Sequence, residues 1–195
     1  MGAIIVTGIP GVGKTTVMET AAKSRDLPIA VYGTVMFEVA SAKGLVKSRD
    51  EMRKLPPHVQ KTIQREAAAR IAAMGDVIVD THCSIKTPTG FLPGLPAWVL
   101  EALQPSTIVL VEAKDSEIHG RRQNDATRKR DEDSLEAIAA HQEYNRRFAA
   151  AYATITGATV HTVYNHDGKV AESIQQILPV VAHLQARPAN GNGGR

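Results

Sequence analysis

The run Gly8-Ile9-Pro10-Gly11-Val12-Gly13-Lys14-Thr15 follows the spacing Gly, four residues, Gly, Lys, then Ser or Thr, which is that of a phosphate-binding P-loop. A phosphate chain is wrapped by successive backbone N–H groups, and side chains in the loop would block that approach. Glycines remove the obstruction and reach the backbone angles that the wrap needs. The helix expected over Lys14 to about Lys23 turns its unpaired N–H groups and positive dipole end toward the same anion. Lys14 then reaches the β- and γ-phosphates, and the Thr15 hydroxyl holds Mg²⁺. The pattern alone also fits a glycine-rich turn. The apolar run Ala3–Thr7 before it and the helical pattern after it supply the context of a true site.

Two further segments carry charge where such chemistry needs it. Val77-Ile78-Val79-Asp80 ends a strand-like run on an acid, and open α/β sheets bind ligands at the carboxyl ends of their strands. Asp80 there helps hold Mg²⁺ or accepts from a metal-bound water; standing alone, it equally fits a turn cap or the partner of a structural Arg. The segment Gly120–Asp131 places Arg121, Arg122, Arg128, Lys129 and Arg130 within ten positions. Phosphoryl transfer spreads charge over the transferring oxygens, and arginine forks meet such oxygens in pairs. A basic segment folding over a nucleotide also excludes water. The competing readings are a solvated loop paired with Asp131, Glu132 and Asp133, and an RNA-binding patch. The chain holds one Trp, four Tyr and three Phe, and none lies within the patch, so base stacking has little support. No Asn-Lys-x-Asp motif for guanine is present.

These residues need a scaffold. The strand candidates are Ala3–Thr7, Ile29–Tyr32, Val77–Asp80, Thr107–Glu112 and Thr159–Tyr164. Most are continuous apolar runs, the pattern of parallel strands buried on both faces. Helical spacing joins Val59, Ile63, Ala67, Ile71 and Met74, and again Val170, Ile174, Ile177, Leu178, Val181 and Leu184. Ser48 with Glu51 and Asp133 with Glu136 fit capping boxes. Thr81–Pro96 carries three prolines and two glycines, too many breakers for a regular element. Ala186–Arg195 has almost nothing to bury and reads as a disordered tail.

The expected fold is therefore α/β: a P-loop NTPase three-layer arrangement with a five-stranded parallel sheet and helices on both faces, to which a family resemblance adds a short lid. The 195 residues make one domain over 1–185. A net charge of +3 demands neither a nucleic-acid nor a membrane partner. The lone Cys83 excludes an intrachain disulfide. Aliphatic runs such as Ile108–Val111 fall far short of a membrane span. The amino end lacks a basic lead-in, so a signal peptide is not expected and the cytoplasm is the expected compartment.

Several blocks together carry a family resemblance. Tyr32-Gly33-Thr34-Val35-Met36-Phe37-Glu38-Val39-Ala40, Arg49–Leu55, Val79-Asp80-Thr81-His82, Ile85-Lys86-Thr87-Pro88 and Leu92-Pro93-Gly94-Leu95-Pro96, with the P-loop and the arginine segment, resemble the archaeal-type adenylate kinases from about residue 3 to about 184. The resemblance implies reversible phosphoryl transfer between ATP and AMP, giving two ADP, with Mg²⁺. It implies that Gly8, Ile9, Pro10, Gly11, Val12, Gly13, Lys14, Thr15 and Thr16 bind the ATP phosphates. It makes Arg121, Arg122, Arg128 and Arg130 a lid cluster within about 121–133, with Lys14 and the last three catalytic. An AMP-binding insert spans about 33–75, and Gly33 and Thr34 open the helix that walls the AMP pocket. Thr81 and His82 are expected at the AMP site, with His82 orienting a phosphate or capping the loop. Archaeal relatives are commonly trimers, so a homotrimer is implied.

The resemblance departs at two positions. The bacterial-type family has an Arg where this chain has Phe37, and an Asp-Gly-Phe-Pro-Arg run where this chain has Asp80-Thr81-His82-Cys83-Ser84. Arg53 and Lys86 are the replacements suggested for the AMP phosphate. Asn165-His166-Asp167-Gly168 follows the last strand, where the family lays a loop against the donor adenine; a plain strand-to-helix turn explains the residue types equally well. His82 and Cys83 lack a second pair for a zinc site. Cys83 reads as a packed small residue. Two rivals stay open: a small P-loop kinase with a different acceptor, and an ATP-dependent RNA-associated protein.

Overall fold

The computed structural model describes residues 2–124, 134–182 and 184. Five strands form one parallel sheet: β1 (Ala3–Thr7), β2 (Ile29–Val31), β3 (Val77–Asp80), β6 (Pro105–Glu112) and β7 (Thr159–Tyr164), in the spatial order β2-β3-β1-β6-β7. Parallel neighbours need crossovers, and helices supply them: α1 (Lys14–Lys23), α2 (Tyr32–Ala42), α3 (Arg49–Met52), α4 (Pro57–Ala72), α5 (Ala97–Leu103), α6 (Asp115–Gln123), α7 (Leu135–Thr156) and α8 (Val170–Val181).

The apolar strands explain the layers. Side chains alternate between the two faces of a strand. Ile5, Val77, Val79, Ile108 and Leu110 pack toward Val39, Ile63, Ile71, Leu100 and Tyr152 of α2, α4, α5 and α7. Ile4, Val6, Ile78, Val109 and Val111 pack toward Val17, Ile118, Ile138 and Ile177 of α1, α6, α7 and α8. Both faces of the three central strands are covered, so these show no polar side, while the edge strand β7 keeps Thr159, Val160 and Tyr164 exposed. All five carboxyl ends face one edge. β1 sits between β3 and β6 there, and the chain leaves it in one direction and later returns on the other. Such a reversal of strand order opens a crevice.

Four local expectations are corrected. The segment 81–96 is not irregular throughout: β4 (Ser84–Thr87) and β5 (Gly90–Pro93) form an antiparallel ribbon, with Thr87 opposite Gly90. Its breakers fall at the turn and strand ends, where an unpaired edge tolerates proline. Phe91 anchors the ribbon by stacking on Tyr144 of α7, with ring centroids 4.3 Å apart. The second strand ends at Val31, because Tyr32 already begins α2. Ser48 makes no side-chain cap; Glu51 instead accepts from the Lys47 N–H at 2.7 Å. The cap of α7 is Ser134, whose Oγ accepts from the Ala137 N–H at 3.3 Å, while Asp133 lies outside the described residues. No described helix is long and apolar enough to cross a membrane. The tail after Ala186 also lies outside the described residues.

Candidate active site

A cleft of about 1100 Å³ opens at the carboxyl edge of the sheet. One wall is the P-loop. Gly13 takes φ +82° and Gly11 φ +91°, in the left-handed region that glycine adopts without strain. Gly13 closes the loop and directly precedes α1, so the first turn of that helix faces the cleft. A Cβ on Gly13 would collide with the Asn165 amide, and one on Gly8 would lie 2.7 Å from the Val111 carbonyl. The loop is thus packed to the limit against its neighbours. Lys14 Nζ forms an ion pair with Asp80 at the end of β3 and lies 3.3 Å from the Thr81 carbonyl. Asp80 is neither a turn cap nor the partner of a structural Arg; it joins the P-loop lysine across the mouth of the sheet.

Side chains from two other elements clamp the loop. Arg121 of α6 donates to the Val12 carbonyl at 3.1 Å, the Asn165 carbonyl at 2.9 Å and the Asp167 carboxylate at 2.7 Å. Arg122 donates to the Pro10 carbonyl at 2.8 Å. The Asn165 amide, buried after β7, donates to Val12 O at 2.8 Å and accepts from Ser173 Oγ at 3.1 Å. Glu117 ties the same segment to α6, accepting from His166 Nδ1 at 2.9 Å and from the Asp167 N–H at 3.1 Å. Lost hydration pushes the Glu117 carboxyl up. The His166 contact and the N–H groups of Lys114 and Asp167 outweigh that and hold it at about 2.

The opposite wall comes from the helices between β2 and β3. Gly33 and Met36 of α2, Arg49 and Met52 of α3, Arg53 beyond it, and Gln60 and Gln64 of α4 all line the cleft. Arg49 donates to Thr34 Oγ1 at 2.7 Å. The floor carries Thr81, His82 and Ile85. His82 is reachable by solvent but lies in the concavity. Lost hydration, then Lys14, depress its pKa; Asp80 opposes this and Arg53 adds to it. Gly94 lets the chain pass hard against this segment, since a Cβ there would overlap the His82 carbonyl. Cys83 is buried, donates to Asn145 O at 3.3 Å and has its thiol pushed up to about 12 by burial. It is a packing residue.

Thus Gly8, Ile9, Pro10, Gly11, Gly13, Lys14, Thr15, Gly33, Arg53, Asp80, Thr81, His82 and Arg121 converge on one cleft. Val12 is buried behind the loop, and Thr16 stands on the exposed side of the first turn of α1. Thr34 is one residue beyond Gly33 and meets Arg49. Arg122 touches the loop from outside the cleft lining. Lys86 on β4 alternates away from Ile85 and is not among the lining residues. Arg128 and Arg130 lie outside the described residues. Sequence reasoning did not single out Arg49, Gln60 and Gln64; the charge of Arg49 within Arg49–Leu55 was its one available signal.

Thr15 and Asp80 offer a hydroxyl and a carboxylate to the same cleft. Among the described residues no group of three or more His, Cys, Asp or Glu could hold a metal unaided. Two oxygen donors without a full protein cage suit Mg²⁺, which keeps waters and shares substrate phosphates. The residues therefore fit the ion.

A family model described as an AAA domain matches residues 7–139. Adenylate kinase of Methanothermobacter thermautotrophicus is 53% identical over 184 residues, covering 93% of this chain and 100% of that protein. That of Thermoplasma acidophilum is 51% identical over 178 residues, covering 91% and 97%. That of Methanopyrus kandleri is 52% identical over 191 residues, covering 94% and 100%. Among solved structures, shikimate kinase from Acinetobacter baumannii in complex with shikimate has a TM-score of 0.58 at 16% identity, covering 93% of each chain. Shikimate kinase from Aquifex aeolicus has a TM-score of 0.56 at 18% identity, covering 92% of this chain and 96% of that one. At such identities the structures speak for the P-loop kinase fold, while the sequence relatives speak for the family. With half of its residues shared along nearly its whole length, the chain belongs to the adenylate kinases.

Proposed function

We propose that the cleft catalyses the reaction of this family, the reversible transfer of a phosphoryl group from ATP to AMP to give two ADP. The observation that carries it is the meeting of two unlike walls on one cavity: a P-loop with Lys14, and a helical wall with Arg49 and Arg53. ATP lies on the first with its phosphates in the loop of Gly8–Thr16, and AMP lies on the second with Gly33 and Thr34 at its flank. Thr81 and His82 sit between them, beside the AMP phosphate. Arg49 joins Arg53 as a cation for that phosphate.

An oxygen of the AMP phosphate attacks the γ-phosphorus of ATP. The new P–O bond forms as the bond to the β-phosphate oxygen breaks, and ADP leaves on each side. The nucleophile is already anionic at pH 7, so no side chain need act as a base. Charge spreads over the equatorial oxygens, and preset N–H donors and cations stabilise it without reorganising. Lys14 has three N–H donors; Asp80 and Thr81 O take two of them, which leaves one for the migrating phosphoryl. Thr15 and Asp80 would hold Mg²⁺, which supplies charge neutralisation on the phosphate oxygens when bound. The insert over about 33–75 and a lid over about 121–133, with Arg128 and Arg130, complete this reading. A cytoplasmic location and a homotrimer rest on the family resemblance, and sedimentation velocity of the purified chain tests the latter.

A coupled assay for ADP, run with ATP, Mg²⁺ and each nucleoside monophosphate in turn, tests the proposal. ADP formation that depends on AMP supports it. Turnover indifferent to AMP overturns it.

A further inference from the structure

Two glutamines on the helical wall have amide orientations that chemistry fixes. Gln64 accepts from Trp98 Nε1 at 3.0 Å, and an indole N–H only donates, so the amide oxygen must face Trp98. Gln60 donates to the Leu55 carbonyl at 2.7 Å, and a carbonyl only accepts, so the amide nitrogen must face Leu55. Neither amide can flip without losing its partner. Both residues line the cleft, and they stand four positions apart on α4, on one helical face. What remains for a ligand is therefore complementary: the NH₂ donors of Gln64 and the carbonyl acceptor of Gln60.

The anchor of this pair is itself braced. Lys61 Nζ sits 4.5 Å over the Trp98 ring, and the Tyr32 hydroxyl donates to the Gln64 backbone carbonyl at 2.9 Å. Burial pushes the Tyr32 pKa up, so its proton stays in place. Met36 and Met52 line the same cleft, and their polarisable thioethers suit the faces of a flat aromatic ring.

We propose that Gln64 and Gln60 read the hydrogen-bonding edge of the acceptor's base, Gln64 donating to adenine N1 and Gln60 accepting from the 6-amino group. Trp98 is a positioning residue that locks the Gln64 amide. Guanine carries the opposite pattern at the same two ring positions, N1–H and O6, and would set donor against donor and acceptor against acceptor. The assignment rests on the acceptor reading given above and deepens it, because it names what selects adenine there.

The test pairs base analogues with variants, reading KM for the acceptor and KM for ATP separately. With the unaltered chain, 1-deaza-AMP, which lacks the N1 acceptor, should lose roughly tenfold to a hundredfold in kcat/KM, as sites built to hydrogen-bond a base do. Gln64→Leu should lose a similar factor with AMP and be indifferent to the N1 deletion. Gln60→Leu should behave likewise toward the analogue lacking the 6-amino group. Trp98→Phe should raise KM for AMP several-fold with KM for ATP and kcat little changed. Unchanged KM for ATP in each variant reports an intact fold. Equal use of AMP and 1-deaza-AMP by the unaltered chain overturns the inference without any variant. So do penalties of analogue and substitution that simply multiply. Failure of the unaltered chain to use AMP at all would instead sink the functional reading beneath it.

Discussion

The P-loop wall and the helical wall of the cleft are held by different means. Backbone carbonyls of the P-loop are gripped from outside by Arg121, Arg122 and Asn165, side chains of two other elements. On the helical wall most of the bonds stay within the wall, Arg49 to Thr34, Gln60 to Leu55, and Tyr32 to the Gln64 carbonyl, and Trp98 of α5 reaches in from outside to the Gln64 amide. The difference follows from what each wall must meet. A polyphosphate is bound by backbone N–H groups whose aim must be set beforehand, because reorganising them during the reaction would cost most of the electrostatic benefit. A single nucleotide base is met by side chains, which can be oriented one at a time by individual neighbours such as Leu55 and Trp98.

The sharpest break comes from Lys14→Ala. It removes a cation aimed at the developing charge, and turnover should fall by about a thousandfold or more. The fold should survive, because among the described residues the side chain's hydrogen bonds go to Asp80 and Thr81, at the rim of the sheet. Initial rates together with a thermal melt check both halves of that expectation. A melt unchanged with activity retained would remove the P-loop from the chemistry.

Gly13→Val attacks the same wall through the backbone. A β-branched residue at φ +82° is strained by roughly 1–2 kcal/mol, and its Cβ would collide with the Asn165 amide. We expect a lowered melting temperature and a loss of about a hundredfold in kcat/KM, the scale on which misplacement by about an ångström costs catalysis. Full stability would mean that the loop relaxes freely, and the contrast between the walls would weaken.

How much of this contrast the sequence disclosed depends on the length of each signal. The P-loop is a contiguous pattern whose spacing is dictated by a phosphate chain, so Gly8–Thr15 and the flanking β1 and α1 were legible. The buried strands were legible because both faces of the sheet are covered, and their apolar runs show it. The β4–β5 ribbon was hidden, since Phe91 on Tyr144 and Ser84 on Asn145 seat it against α7, and both are contacts between distant segments. Asn165 and Arg121 stand more than a hundred positions from Val12, and nothing local reveals that both grip its carbonyl. Gln60 and Gln64 look like ordinary solvent-facing helix residues until the fold brings Trp98 and Leu55 beside them.

Arg121→Lys sharpens the comparison with a smaller effect. A lysine keeps the charge but cannot span Val12, Asn165 and Asp167 with a planar fork. KM for ATP should rise about tenfold while KM for AMP stays near its original value, the scale of one to two lost charge-assisted bonds. Equal rises in both would show that the clamp governs the whole cleft. Gly33→Val probes the other wall. A Cβ there meets no protein atom within 4 Å, so the added side chain projects toward the cleft at little cost to folding. KM for AMP should rise several-fold and KM for ATP should not. The two variants together form a reciprocal pair, measured by initial rates with each substrate varied in turn.

Acid should act on the floor of the cleft and on the clamp of the P-loop in sequence. His82 has a folded pKa below 6.5, so the unfolded chain takes up its proton first as pH falls, and stability that is complete above 6.5 declines below it. Glu117 has a folded pKa of about 2 against 4.5 for the free group. Its contribution is complete above 4.5, shrinks as pH falls from there, and is gone below about 2. The floor between the walls is therefore touched at mild acidity and the clamp on the P-loop only later. Melting temperatures measured from pH 7.5 to 3 on the unaltered chain, His82→Asn and Glu117→Gln resolve the order. His82→Asn should flatten the upper part of the profile and Glu117→Gln the part below 4.5. The second effect should be the smallest considered, because Glu117 lies near the surface and solvent screens it. Flattening in the opposite order would show that the protons are taken up elsewhere, and the floor and the P-loop clamp would not differ in their titration.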